Sequence, residues 1–351
     1  MAELSPMMQQ YMDIKKQYKD EILFYRIGDF YEMFFDDALT ASRELDLTLT
    51  GKQCGMEERA PMCGVPFHSY EGYVARLIAK GYKVAICEQM EDPSKAKGLV
   101  KRDIIRVVTP GTVIESSMLQ DDRNNYIASV FLKGKKAGLC FADVSTGEFH
   151  ITSLNTAPLQ RQIMNELYTY MPREIIVNND AFDMSLLDNY TKRVDAHLEV
   201  VSAEKFDYET AIKLINDNLS SAQISELNVS ENEIAVCALG AVILYLKDTQ
   251  KKDEIEAPSE LELYDCEKYM KLDMSARRNL ELTRSMMTGD KRHSLLWVID
   301  KTKTSAGKRM IRSWLERPLM SVAKITKRQN AVGELADSPM LRDEVRQALT
   351  G

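Results

Sequence analysis

The chain has 351 residues, of which 44% are hydrophobic and 28% are charged, and this length is enough for two or three globular domains. No apolar run approaches the roughly 20 residues that span a bilayer, and the first residues lack the basic and then apolar order of a signal peptide, so we expect a cytoplasmic protein. The net charge of −7 argues against nucleic-acid binding by the chain as one body, and six scattered cysteines exclude the dense disulfide framework of a small secreted domain.

The N-terminal residues predict a helix, a strand and a second helix. Apolar residues recur at helical spacing over 7–18, and EILFYRI (21–27) has the composition of a buried strand. Gly28 and Asp29 break that strand, and Asp29 with Glu32 fits the capping box of a following helix. The apolar stripe of this amphipathic helix steps by four and three and consists of Phe30, Phe34, Ala38, Ala41 and Leu45.

Further alternation of strands and helices completes the first unit. We predict strands at LTLTG (47–51), KVAICEQ (83–89) and DIIRVV (103–108), with a helix around 73–79 that stops at Gly81. The turn at 109–112 and the polar run QDDRNN then predict a domain boundary.

The second unit begins with three strand-like runs, YIASVFLKG, AGLCFADVS and EFHIT, whose glycine-containing turns predict a meander. A helix over 159–171, a strand at REIIV (173–177) and helical segments ending in an apolar run over 233–248 follow, which predicts an α/β domain with a mixed sheet. KKDEIEAPSELE (251–262) predicts a charged linker. The third segment predicts helices at LLWVID and at GKRMIRSWLERPL, the second halted by Pro318.

Charge is distributed unevenly along the chain. Residues 121–267 carry 13 basic and 26 acidic side chains, whereas residues 268–328 carry 16 basic and 5 acidic ones. An acidic middle followed by a basic segment indicates separate modules with separate partners. A smaller basic cluster, opposed only by Asp103, is a candidate for phosphate contacts and consists of Lys95, Lys97, Lys101, Arg102 and Arg106. A solvated surface is the alternative interpretation of both basic regions.

Phe30 has two interpretations from the residues alone. It is the first member of the apolar stripe, so it fits a core position, and Glu32 then only caps the helix. Alternatively, an aromatic ring at a helix entry projects outward as a wedge between base steps, with a hydrogen-bonding side chain two residues later.

Longer runs of sequence favour the second interpretation. GDFYEMFFDDA, CGVPFHSYEGYVARLIAKGYKVAICEQMEDP and RVVTPGT together resemble the mismatch-binding domain of the MutS family of DNA mismatch repair proteins. The resemblance continues through FADVSTGEF of the connector domain and through RRNLEL and LLWVIDKTKTSAGKRMIRSWLERPL of the lever domain. It implies an α/β mismatch-binding domain with a mixed sheet over 1–118, a ribonuclease H-like connector domain over 125–250 and the α-helical beginning of a lever domain over 260–351.

The resemblance also implies functional residues. The family's Phe-x-Glu motif falls on Phe30, Tyr31 and Glu32, so all three are expected to contact DNA. Phe30 is expected to enter the minor groove and stack on a mispaired base while Glu32 hydrogen-bonds to that base. His68, within GVPFH, is expected near the DNA backbone or in a structural position. A mismatch has already lost pairing energy, so kinking the duplex there costs less than at a Watson-Crick pair.

Partners and cofactors follow from the same resemblance. It implies mismatched double-stranded DNA, a MutL-type repair protein bound through the connector domain, and a homodimer in the full-length family, whereas we expect this chain alone to be a monomer. The family is a DNA-dependent ATPase that uses ATP and Mg²⁺, but no GxxxxGK[ST] phosphate loop occurs in this chain. We therefore expect no cofactor and no enzymatic activity here.

Two other kinds of site, a nuclease centre and a zinc site, are each suggested by one small group of residues. Asp143 and Glu148, in the three-stranded opening of the second unit, are the candidates for a metal-dependent nuclease, although the family's connector domain resembles a ribonuclease H fold without cleaving. Cys54, Cys63 and His68 suggest zinc, but the cysteines are too far apart in sequence for a usual pair and a fourth ligand is lacking. Binding of mismatched DNA is therefore the leading hypothesis.

Overall fold

The computed structural model describes residues 4–55, 57–92, 98–178 and 183–349. In its first unit, helices pack on both faces of a six-stranded sheet. The helices are α1 (Pro6–Gln17), α2 (Phe35–Leu45) and α3 (Tyr70–Ala79). The strands are β1 (Glu21–Ile27), β2 (Phe30–Phe34), β3 (Thr50–Lys52), β4 (Ala60–Pro66), β5 (Lys83–Gln89) and β6 (Arg102–Val108).

The strand order of the first sheet is β3-β4-β2-β1-β5-β6. β1 and β5 run parallel, and the other neighbours are antiparallel. Side chains of β1 alternate between the faces, because Phe24 packs with α2 and α3 whereas Leu23 and Tyr25 pack with Met8 and Tyr11 of α1. The centre of the sheet is therefore buried on both sides, as the apolar run EILFYRI predicts.

A hairpin stands where the sequence predicts a helix beginning at Phe30. Residues 30–34 form β2, which pairs antiparallel with β1 through Ile27 and Phe30. Gly28 and Asp29 are the two-residue turn between the strands, and Gly28 adopts a φ of 57°. Glycine at the first turn position suits such a hairpin, because a residue without a Cβ enters the left-handed region at no steric cost.

Helix α2 begins later than predicted, at Phe35, and its N-terminal cap makes no side-chain hydrogen bond. The predicted capping box of Asp29 and Glu32 is therefore wrong. The later part of the apolar stripe is confirmed, because Ala38, Ala41 and Leu45 are buried. Strand β4, which the sequence did not predict, lies between β2 and β3.

The second unit is built around another six-stranded sheet, ordered β11-β10-β7-β8-β9-β12. Its strands are β7 (Ile127–Lys133), β8 (Lys136–Asp143), β9 (Glu148–Leu154), β10 (Glu174–Asn178), β11 (His197–Val201) and β12 (Glu260–Leu263). Its helices are α4 (Leu159–Tyr170), α5 (Met184–Val194), α6 (Tyr208–Asn218), α7 (Ser221–Leu227) and α8 (Glu233–Gln250). β7, β8 and β9 form an antiparallel meander and the other neighbours pair in parallel, so the predicted meander and mixed sheet are confirmed.

Helix α8 packs closely on this sheet and on α6. Eleven of its 18 residues are buried, which agrees with the apolar run at 233–248. Glycines permit the close approach: a Cβ on Gly138 of β8 would lie 1.9 Å from the carbonyl oxygen of Ile234, and a Cβ on Gly240 would lie 2.3 Å from the Cβ of Ala211. A helix that is apolar on most sides is therefore a core helix here. No described helix is long and apolar enough to cross a membrane.

The sequence predicts neither edge strand of the second sheet. β11 pairs with β10 at one edge, within a segment predicted to be helical. β12 pairs with β9 at the other edge, so the last residues of the predicted linker over 251–262 are a strand instead. Both edge strands are short, and their position depends on pairing with a neighbour that local sequence does not reveal.

The third segment contributes helices that form little core of their own. They are α9 (Met274–Asn279), α10 (Leu295–Ile299), α11 (Ser305–Glu316), α12 (Val322–Asp337) and α13 (Pro339–Ala348). The predicted helices at LLWVID and before Pro318 are confirmed as α10 and α11. α12 and α13 bury none of their residues, and apolar side chains such as Val322 and Met340 are exposed.

Candidate nucleic-acid interface

Strand β2 presents Phe30 and Glu32 on one face of the first sheet. Phe30 is 48% exposed and Glu32 is partly exposed, whereas Tyr31 and Met33 are buried. Side chains two positions apart share a face in a strand but point apart on a helix. Strand geometry thus accounts for the Phe-x-Glu spacing, and the interpretation of Phe30 as a core residue is wrong.

Tyr31 points to the opposite face of β2. Its ring packs against Phe24 and Tyr70, with centroids 6.0 Å and 5.0 Å away, and its hydroxyl donates a hydrogen bond to Glu88. Burial, followed by the contact with Glu88, raises the pKa of the Tyr31 hydroxyl well above its usual range. The structure therefore corrects the prediction that Tyr31 contacts DNA, because this side chain anchors β2 in the core.

Glu32 forms an ion pair with Lys52 of β3. Both side chains are mostly covered, with 15% of Glu32 and 28% of Lys52 exposed. The two strands are not neighbours, since β4 lies between them. Glu32 is paired with Gly64 of β4, and the absence of a side chain there leaves room for the contact across that strand. Sequence reasoning missed Lys52 because no local pattern connects it with Glu32.

The turn after β4 brings Phe67 and His68 to the hairpin that carries Phe30. The backbone amide of Phe67 donates to the carbonyl oxygen of Asp29 at 2.9 Å. The Phe67 ring is 37% exposed, and the guanidinium of Arg26 lies 3.7 Å from its centre. His68 is exposed next to it, with 5.9 Å between the two ring centroids. Phe67 is a second residue that sequence reasoning missed, although it stands within the GVPFH run.

Two members of the predicted basic cluster are engaged inside the protein. Arg102 is 9% exposed and donates to the carbonyl oxygen of Arg26 at 2.8 Å. Arg106 pairs with Glu115 and donates to the carbonyl oxygen of Thr112 at 3.1 Å. Because both guanidinium groups already have protein partners, the prediction that Arg102 and Arg106 bind phosphates is corrected.

The other three members of that cluster are lysines. Lys101 is exposed, and its backbone amide donates to Glu91 at 2.7 Å. Lys95 and Lys97 lie outside the described residues. In the part of the cluster that the structure describes, Lys101 is thus the side chain that is accessible to a phosphate.

The candidate zinc ligands lie apart. Cys54 and Cys63 are buried in hydrophobic clusters on opposite faces of the first sheet, whereas His68 is exposed. Burial raises the pKa of the Cys63 thiol to about 11, which disfavours the thiolate that zinc binds. This arrangement does not support a zinc site.

The candidate nuclease residues are engaged in structural hydrogen bonds. The buried carboxylate of Asp143 accepts from the backbone amides of Asn125 and Ser145 at 3.0 Å and 2.9 Å. Glu148 accepts from the side chain of Asn124 at 3.0 Å. Both acids hold the segment that enters the second unit, and the nuclease alternative is not supported.

A buried polar network joins the first and second units. Glu174 of β10 accepts hydrogen bonds from the Thr109 hydroxyl at 2.5 Å and from the Gly111 amide at 3.0 Å. Lys83 of β5 lies 3.7 Å from the same carboxylate and pairs with Glu199 of β11. We call these five residues the interdomain network.

His197 lies beside the interdomain network. Within the described residues, Glu174, His197 and Glu199 form the group close enough to share a metal ion. Lys83 already supplies positive charge to both carboxylates, and burial, followed by the charge of Lys83, lowers the pKa of His197. The group therefore functions as a structural contact between the two units.

Comparison with protein families gives three matches in chain order. The family model described as MutS domain I matches residues 5–117, MutS domain II matches residues 125–259, and MutS domain III matches residues 275–351. The matches together cover most of the chain.

The chain is also similar along nearly its whole length to bacterial proteins named DNA mismatch repair protein MutS. It is 48% identical to those of Ruminiclostridium cellulolyticum and Acetivibrio thermocellus, over 99% of this chain and 40% of each relative. It is 45% identical to that of Lachnoclostridium phytofermentans, over 99% of this chain and 37% of the relative. The chain therefore spans 37–40% of the length of these relatives.

Proposed function

The chain belongs to the MutS family of DNA mismatch repair proteins, and on this premise we propose that it binds mismatched duplex DNA through the exposed face of the β1–β2 hairpin. In this proposal Phe30 inserts at the mispaired base and Glu32 hydrogen-bonds to that base. The chain contains domain I, the mismatch-binding domain of the family.

The exposure of Phe30 at the end of the hairpin carries the proposal. A ring that is 48% exposed leaves apolar surface in water, and inserting it between bases removes that surface from solvent. Minor-groove proteins use apolar wedges of this kind to unstack a base step and kink the duplex. The kink costs less at a mismatch, so the same wedge distinguishes mismatched from paired DNA.

Lys52 supports the proposal through electrostatics. The phosphates of DNA repel a carboxylate, so Glu32 alone would weaken binding at this surface. The ion pair with Lys52 offsets part of this repulsion and orients the Glu32 carboxylate. We propose Lys52 as a positioning residue for Glu32.

Contacts with the DNA backbone come from the edge of the same unit in this proposal. Lys101 and His68 are the exposed candidates, and Lys95 and Lys97 stay predictions. In the part of this unit that the structure describes, few accessible basic side chains lie next to the hairpin, so few phosphate contacts are available. We therefore expect weak binding that decreases further as salt concentration rises.

Family membership extends the proposal to partners. The second unit is the proposed contact for a MutL-type repair protein, which its 26 acidic against 13 basic side chains over 121–267 support. We propose homodimer formation and the use of ATP and Mg²⁺ for the full-length family protein, and a monomer without a cofactor for this chain. Sedimentation of the 351-residue chain, with and without a MutL-type protein, tests the partner and the monomer.

Electrophoretic mobility with labelled heteroduplex and homoduplex DNA at low salt tests the central proposal. The wild-type chain should prefer the heteroduplex, and Phe30→Ala should bind both duplexes equally. Leu39→Ala is the matched control, because Leu39 is 46% exposed on α2, away from the hairpin, and should leave the preference unchanged. A Phe30→Ala chain that still prefers the heteroduplex contradicts the assignment.

A further inference from the structure

A pocket of about 310 Å³ lies where the three segments of the chain meet. The first unit supplies an apolar wall that includes Ile78, Val113 and Leu119. The opposite wall is rich in arginines, namely Arg123, Arg173, Arg284, Arg309, Arg312 and Arg317. Among the described residues, Glu316 is the one acidic side chain in this lining. We call this cavity the junction pocket.

Three of the arginines have carboxylate partners. The pairs are Arg312 with Asp122 at 2.8 Å and with Glu316 at 3.6 Å, Arg173 with Asp195 at 3.5 Å, and Arg317 with Glu262 at 3.8 Å. The Arg312 pair holds α11 against the segment between the first two units. These contacts account for the positive charge of the paired arginines.

Two of the other three arginines, Arg123 and Arg309, have a buried nitrogen without a hydrogen-bond partner. The Nε of Arg123 lies 4.0 Å from Asp122, and this atom is buried without a hydrogen-bond partner. The Nε of Arg309 is likewise buried without a partner. Burial lowers the pKa of Arg123 to about 10, and the neighbouring charges of Arg312 and Arg284 act in the same direction. The six arginines outnumber the four acids that pair with them, Asp122, Asp195, Glu262 and Glu316, so the pocket carries a net positive charge that favours an anion.

The geometry and size of the pocket favour phosphate among anions. Guanidinium groups donate paired, charge-assisted hydrogen bonds that match phosphate oxygens. Buried N–H groups without partners cost free energy, which a bound anion would recover. A volume of about 310 Å³ lies at the lower end of the range for small-molecule sites.

We propose that the junction pocket binds a phosphate-bearing ligand through Arg123, Arg284 and Arg309. The apolar wall contacts any organic group attached to the phosphate. The ligand is either a free phosphorylated molecule or a phosphate of DNA bound to the chain. Because all three segments line the pocket, the ligand fixes them relative to one another. This site is separate from the hairpin that carries Phe30.

Isothermal titration calorimetry of the 351-residue chain at constant ionic strength tests the proposal with three probes: pyrophosphate, ADP and homoduplex DNA. Arg309→Gln should weaken binding of pyrophosphate or ADP by about tenfold or more, the effect of losing a charge-assisted hydrogen bond. Arg292→Gln, an exposed arginine outside the pocket, should leave binding unchanged. If DNA is the one probe that depends on Arg309, its backbone is the source of the phosphate. If none of the three depends on Arg309, the proposal is overturned.

Thermal unfolding separates a binding defect from a folding defect. Arg309→Gln removes a partly exposed guanidinium whose Nε is buried without a hydrogen-bond partner, so the unligated variant should melt at or above the temperature of the wild-type chain. Arg123→Lys keeps the charge but lacks the paired donors, and it should also bind pyrophosphate more weakly. If Arg309→Gln melts below the wild-type temperature, its affinity does not separate a binding defect from a folding defect, and Arg123→Lys becomes the deciding variant. Wild-type affinity of Arg123→Lys for pyrophosphate would then overturn the proposal.

Discussion

The first and second sheets each have six strands and carry helices on their faces, but the candidate functional side chains on them differ in burial. In the first sheet, Phe30 is exposed, and Glu32 beside it is partly exposed and paired with Lys52. In the second sheet, Asp143 and Glu174 are fully buried and hydrogen-bonded to the protein. A partly exposed acid at the edge of a site keeps contact with solvent, whereas a fully buried acid with all its hydrogen bonds inside the protein stabilises the fold. Residue type alone therefore does not distinguish a binding site from a structural contact.

Two adjacent residues of β2 should show the largest contrast. Tyr31→Ala removes a buried ring and its hydrogen bond, so we expect the free energy of unfolding to fall by about 4 kcal/mol. Phe30→Ala should change it by less than about 0.5 kcal/mol, because that ring is exposed. Urea denaturation measures both changes. Equal losses would mean that Phe30 packs in the core after all.

Two glycines compare close packing in the second unit with open space in the first. Gly138→Ala places a Cβ against the backbone of α8, and we expect a loss of about 3 kcal/mol in the free energy of unfolding. Gly72→Ala should instead raise it by about 0.5 kcal/mol, because a Cβ at this position of α3 meets nothing within 4 Å and alanine favours a helix. A harmless Gly138→Ala in urea denaturation would show that α8 is not packed this closely.

The interdomain network should depend on its central cation. Lys83→Met leaves Glu174 and Glu199 without their positive neighbour, and we expect the free energy of unfolding to fall by about 2 kcal/mol. Lys133→Met is the control, because Lys133 and its partner Glu233 are largely exposed, and it should cost less than about 0.5 kcal/mol. Similar losses in guanidinium denaturation would remove the distinction between buried and surface pairs.

His197 should give the smallest effect, seen as a pH dependence. Burial and the charge of Lys83 lower its pKa in the folded chain below the ordinary value of 6.5. The unfolded chain therefore binds this proton more readily, so the contribution of His197 is complete above about pH 6.5 and is lost as the pH falls below that value. Between about pH 7 and pH 5, the wild-type chain should lose more stability than His197→Gln. Parallel profiles of unfolding free energy against pH would contradict this assignment.

Much of the fold could be predicted because long apolar runs determine burial. EILFYRI, KVAICEQ, the meander and α8 all follow from such runs. The hairpin could not be assigned from the stripe, because Phe30 and Phe34 continue the helical spacing of α2 although they lie in a strand. Gly28 and Asp29 fit a helix start as well as a two-residue turn. The strand-forming residues on both sides of that turn were the local signal for the hairpin.

Less of the candidate site could be predicted than of the fold. The sequence points to Phe30 and Glu32 as candidates, but the contact of Glu32 with Lys52 depends on the register of three strands. Arg102 and Arg106 show the converse problem, because a sequence displays their charge but not the partners that occupy it. Tertiary pairing thus decides which members of a charged cluster remain accessible.

Because Phe30 and Glu32 lie in the strand β2, the number of residues between them decides whether their side chains share a face. Residues an even number of positions apart share a face, so one inserted codon between Phe30 and Glu32 would turn the carboxylate toward the core and an apolar neighbour toward solvent. A substitution at Tyr31 is restricted by packing and, on the proposed function, one at Glu32 by binding, whereas a change in length violates both restrictions at once. A one-residue change in the length of this hairpin should therefore disturb the protein more than a substitution of either residue alone.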